Sequence, residues 1–85
     1  MSHEDATPFY RANDAVSLGR SIADARKEAG LTQQDLARKL AVGRGTVVRL
    51  EQGEAVSMVV VMKAIRLVGR DVALVPRFAR LQVRQ

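Results

Sequence analysis

Residues 30–53, GLTQQDLARKLAVGRGTVVRLEQG, constrain this chain more than any other stretch, because they hold two short helical patterns between glycines with only a tight turn to join them. Thr32 is placed to cap the first of these helices with its hydroxyl, leaving Gln33 and Gln34 in the first turn. Leu36, Ala37 and Leu40 then make one apolar face. Val42 packs the turn, and Gly43 stands where a second helix must begin. Val47 and Leu50, three apart, give that helix an inward face before Gly53 ends it.

The outward face of the second helix carries the chemistry. At about 100° per residue, Arg44, Gly45, Val48, Arg49 and Gln52 fall within an arc of roughly 140° directed away from Val47 and Leu50. A helix that enters a DNA major groove needs long donors for guanine O6 and N7, polar groups for phosphates, and little bulk where its backbone comes close. Arg44 and Arg49 supply the donors and Gly45 the clearance. Val48 admits two readings, a contact to a thymine methyl or a plain exposed valine.

The flanks supply further helices. One begins near Asp14 or Ser17, either of which can cap, and its Leu18, Ile22, Ala25 and Ala29 form a core stripe that ends at Gly30, with Leu31 stapling it to the next helix. Arg26 falls four residues after Ile22 on the inward side, and Glu51 lies close to Val47, so the two read as a partly buried structural ion pair. A last helix opens at Ser57, carries Met58, Val61, Met62, Ile65 and Val68 inward and Lys63 and Arg66 outward, and closes at Gly69. Val59 and Val60 lie off that stripe, and a second subunit covering them would account for two adjacent β-branched residues there. The run Asp71-Val72-Ala73-Leu74-Val75 predicts a β-strand with no partner strand in the chain. Pairing with its own copy across a two-fold axis closes that edge, placing Val59, Val60, Val72 and Leu74 in a dimer interface; the plainer reading is a tail packed on its own core. The expected fold is therefore all-α, a helix-turn-helix bundle of four to five helices with one short C-terminal strand. Its divisions are a leader at 1–13 anchored by Phe9 and Tyr10, the bundle at 14–69, the strand at 70–76 and a basic tail at 77–85.

Residues 18–68 resemble the helix-turn-helix domain of the phage repressor and Cro class, the XRE family. The likeness is carried by the run ARKEAGLTQQDLARKL, the VxRLEQG ending and the spacing between them. It implies a λ-repressor-like bundle and a DNA-binding set of Thr32, Gln33, Arg44, Gly45, Thr46, Val48, Arg49 and Gln52. Within that set Gln33, Thr46 and Gln52 contact phosphates, while Arg44, Gly45 and Arg49 read bases; Arg26 and Glu51 tie the first helix to the recognition helix. Gly43 departs from the family's usual Ser or Thr cap, and Gly45 within the first turn costs roughly 1 kcal/mol relative to Ala. The ending Gly69-Arg-x-Val-x-Leu-Val-Pro extends the likeness through Arg77 to the HipB-type antitoxins. That finer resemblance implies an inverted-repeat operator upstream of its own operon, a two-stranded lid across the dimer, a cytoplasmic, nucleoid-associated location, and a partner similar to the HipA serine/threonine kinase toxin. A stand-alone XRE-type regulator is the alternative.

Composition agrees with a small basic module, since 85 residues carry 14 Lys+Arg against 9 Asp+Glu, a formal charge of +5. Without cysteine there is no disulfide framework and no thiolate metal site. The single histidine, His3, sits in the polar leader, the carboxylates Asp24, Glu28 and Asp35 read as solvated helix faces, and no catalytic set assembles, so neither an enzyme nor a cofactor is expected. The longest nearly apolar run, at 56–64, is far short of the roughly 20 residues that span a bilayer, and the acidic N-terminus is unlike a signal peptide. A protein-interaction module docking a toxin through Val59, Val60 and the strand is the competing class, separable by a kinase-like reading frame beside the gene.

Overall fold

The computed structural model describes residues 12–74 and 76, and within them the chain forms four helices: α1 (Ala15–Glu28), α2 (Gln33–Leu40), α3 (Arg44–Glu51) and α4 (Met58–Leu67). Each start has a local cause. Asp14 caps α1, its carboxylate accepting from the Ser17 N–H at 2.8 Å while the Ser17 hydroxyl accepts from the Asp14 N–H at 3.1 Å. Thr32 and Asp35 repeat this reciprocal box at α2, at 3.0 and 2.9 Å. Asp35, expected on a solvated face, is thus half-buried and occupied as a cap. Ser57 caps α4, and Gly43 opens α3 with no side-chain hydrogen bond.

The helix ends share one closure. The second residue past each of three helices is a glycine with positive φ, namely Gly30, Gly53 and Gly69, and the next N–H reaches back five residues: Leu31 to Arg26, Glu54 to Arg49, Arg70 to Ile65. After α2 the same turn is made by Ala41 at φ 59°, with the Val42 N–H on the Ala37 carbonyl at 3.0 Å. An alanine there occupies the left-handed region that costs a Cβ-bearing residue about 1–2 kcal/mol.

The core is Ile22 and Ala25 of α1, Leu36, Ala37 and Leu40 of α2, Val47 and Leu50 of α3, and Ala64, Ile65 and Val68 at α4. α3 packs on both α1 and α2, and α4 closes over α2. The α1–α3 contact is backbone to backbone. A Cβ built on Gly19 would lie 2.5 Å from the Leu50 carbonyl oxygen and 2.6 Å from that of Glu51, and one on Gly53 would lie 2.7 Å from the Val16 Cα.

Two expectations about the core are corrected. Ala29 is exposed, since α1 ends at Glu28 and Ala29 turns outward as its cap. On α4, Met58 is 70% and Met62 45% exposed, while Ala64 is completely buried. The inner face is turned from the expected one toward Ala64, while Ile65 and Val68 remain in the core. The reason is that α4 is apolar nearly all round, so periodicity alone does not choose the inner face, and the small Ala64 allows close approach to α2. Val60 is half-buried against the chain's own core, whereas Val59 remains 74% exposed. Residues 70–74 form neither helix nor strand, and no strand occurs among the described residues. Phe9, Tyr10, Val75 and the tail from 77 lie outside them.

Candidate nucleic-acid interface

The site is built on α3, whose inner residues Val47 and Leu50 are buried in the core and whose outer residues Arg44, Gly45, Arg49 and Gln52 are exposed. Thr46 and Val48 are half-buried on its two flanks. Val48 lines the groove between α1 and α3. At Gly45 a Cβ would meet only the terminal nitrogen of Arg49, at 3.6 Å, an ordinary contact. The fold does not demand glycine at that position, so the clearance it gives is directed outward.

A chain of polar contacts leads from the interior to this face. Arg26 and Glu51 form a bidentate pair, Nε to Oε2 at 2.6 Å and a terminal nitrogen to Oε1 at 3.2 Å, with side chains only 9% and 7% exposed. The second guanidinium nitrogen of Arg26 donates to the Leu31 carbonyl at 2.8 Å, so the cation also fastens the turn that leads into α2. Glu51 Oε1 further accepts from the Gln33 side-chain amide at 3.0 Å, and the Gln33 carbonyl oxygen accepts from Arg44 at 3.0 Å. Four side chains from three helices are therefore linked in series. A pair this buried derives its value from being complete, because removing one partner strands the other charge in a poorly solvated place.

Sequence reasoning brought Arg26 and Glu51 together, and the geometry agrees. It did not find that Gln33 uses both ends of its amide to join Glu51 to Arg44. The three residues are 18 and 11 positions apart, and no local pattern reports such a link. Arg49 donates to the Thr46 hydroxyl at 3.3 Å across one helical turn, and Arg38 is held by Asp35 at 2.6 Å, away from the reading face. Thr32 uses its hydroxyl and its N–H in the α2 cap. No three acidic or histidine side chains converge among the described residues, and no helix there is long and apolar enough to cross a membrane.

α2 and α3 pack together and α3 also packs on α1, with two arginines and a glycine exposed on α3, and a helix-turn-helix domain family model matches residues 17–78. The chain belongs to the XRE-like helix-turn-helix family. It is 39% identical over 51 residues to a protein of Methanothermobacter thermautotrophicus described as an uncharacterized HTH-type transcriptional regulator, a match covering 59% of this chain and 74% of that one. By this membership the chain is of the DNA-binding, transcription-regulating kind.

Proposed function

We propose that this helix-turn-helix protein is a sequence-specific repressor that binds an inverted-repeat operator as a homodimer. The observation that carries the reading is the outward pair Arg44 and Arg49 on a helix whose inner face and backbone are fixed by the core. Arg44 and Arg49 read bases, each good bidentate contact contributing about 1–3 kcal/mol of discrimination. Gln33, Thr46 and Gln52 set the register on phosphates beside Thr32, which caps α2, and Gly45 admits the helix close to the base edges; Val48 lies at the margin of this set. Two protomers place their recognition helices about 34 Å apart in successive major grooves, and occupancy excludes polymerase from the promoter.

The homodimer rests on the apolar surface that α4 turns away from its own core. Met58, Val59 and Met62 on the helix and Val72 and Leu74 on the following segment are exposed, Leu74 to 97%. Burying them against a second copy, with the strand expected at 70–76 paired across the two-fold axis, covers that apolar surface. Leu74→Asp is expected to give a monomer in sedimentation; a dimer that survives it has its interface elsewhere. The finer role is that of a HipB-type antitoxin holding a HipA-like kinase toxin, supported by the resemblance of the Gly69-Arg-x-Val-x-Leu-Val-Pro stretch.

Selection of bound duplexes from a random library by the purified chain tests the central reading. Enrichment of an inverted repeat with half-sites one helical turn apart is the expected result. Arg49→Ala should relax preference at one base pair of each half-site, whereas an equal loss on all sequences would make Arg49 a phosphate ligand.

A further inference from the structure

Arg20 and Lys27 stand seven residues apart on α1, two turns along one exposed face, with only Ala23 and Asp24 between them on that side. They line a groove of about 400 Å³ whose opposite wall is Val48 and Gln52 of α3 and which meets Gln33 at the start of α2. The groove is continuous with the reading surface, because three of those residues belong to it. Among the described residues neither cation closes an ion pair; Arg20 acts on Asp14 only through space. Glu51, which also borders the groove, is already neutralised by Arg26. Asp24 offsets one charge, so the α1 wall keeps a net positive sign.

When a helix lies in a major groove about 12 Å wide, the surfaces flanking it face the two ridges of phosphates. On one flank of α3 that surface is the α1 wall. The methyl group of Ala23 leaves room for a sugar-phosphate strand to lie in the groove, the exposed amide of Gln52 offers a donor at its edge, and two long cationic side chains stand over it. We propose that Arg20 and Lys27 form a second line of phosphate contacts, gripping the strand beside the recognition helix. Their role is sequence-independent and sets affinity and docking angle. The proposal rests on the DNA-reading function above, and its test separates the two.

The probe is a labelled duplex of arbitrary sequence, titrated with wild type, Arg20→Ala/Lys27→Ala and the charge-keeping Arg20→Lys/Lys27→Arg between about 50 and 200 mM KCl. Each lost phosphate contact lowers the slope of log affinity against log salt by about 0.9. The alanine variant should therefore lose about 1.8 from the slope for each protomer engaged, a deficit roughly tenfold larger at the low salt than at the high. The charge-keeping variant should retain the wild-type slope. Both residues are exposed and alanine favours helix, so helicity by circular dichroism should be unchanged. An unchanged slope in the alanine variant overturns the proposal. Loss of slope in both variants alike also overturns it, as it would show that charge at these positions is not what matters. If wild type itself shows no salt-dependent duplex binding, the DNA-reading function fails instead.

Discussion

Arg44, the first residue of α3, donates a hydrogen bond to the Gln33 side chain, the first residue of α2, at 3.0 Å. The arginine proposed to read bases is therefore held in the free protein by a glutamine that is itself held by Glu51. Pre-positioning a long side chain reduces the rotamer freedom lost on binding.

Gln33→Ala releases Arg44 and removes one donor from Glu51. A net effect of one such contact, about 0.5–1.5 kcal/mol, corresponds to a roughly two- to tenfold weaker operator complex. Competition titrations on the selected operator check this. A relaxed preference at the base pair under Arg44 is expected beside the uniform loss of the Gln33 phosphate contact; an unchanged preference there would show that the link is not maintained in solution.

Glu51→Ala leaves Arg26 buried opposite nothing, and a loss of about 3–5 kcal/mol in urea unfolding is expected. Replacing both partners by apolar residues, Arg26→Met/Glu51→Leu, should recover most of it. A double variant as unstable as the single one would mean that the pair contributes more than the relief of its own burial.

At Gly19 the obstacle to a larger residue is backbone, the carbonyls of Leu50 and Glu51 within 2.6 Å of any added Cβ. Backbone cannot move aside as a side-chain tip can. Gly19→Ala is expected to destabilise by about 1–3 kcal/mol, despite alanine's better helix propensity, and to lower Tm by about 4–8 °C for each kcal/mol. A Tm equal to or above that of the wild type would show that α1 and α3 stand further apart.

The carboxyls of Asp14 and Asp35 are held below their ordinary value of 3.8, first by the backbone N–H groups of Ser17 and Thr32. Folding thus favours their ionised forms. Their contribution is complete above the ordinary value and is lost as pH falls through the lowered ones. Urea midpoints should be level near neutrality and decline below about pH 4, and Asp14→Ala/Asp35→Ala should be less stable at neutral pH with a flatter acid limb. An acid limb as steep in the double variant would assign the decline to other groups.

Helix boundaries were legible in the sequence because their causes are local: Asp14, Thr32 and Ser57 bond within three residues, and Gly30, Gly53 and Gly69 provide positive φ where a helix stops. Ala41 makes the same turn with no glycine to announce it. The α4 face was legible only in part: Val61, Ile65 and Val68 lie inward as expected, but Met58 and Met62 are as apolar as Ala64, which enters the core in their place. Of the reading surface, the exposed arginines followed from helical period and the Arg26–Glu51 pair from facing positions. The Gln33 link and the close approach at Gly19 depend on how three helices meet in space, which no window of sequence reports.

That α3 is seated by its own carbonyls against Gly19, and by Val47 and Leu50 on its inner side, has an evolutionary consequence. The residues that set the axis of α3 are not those proposed to meet the bases. On the proposed reading, positions 45 and 49 are free to change between operators while the scaffold stays constant, and position 44 can follow as long as its substitute still reaches Gln33. A duplicated gene could acquire a new target through a few codons without first having to restore its stability.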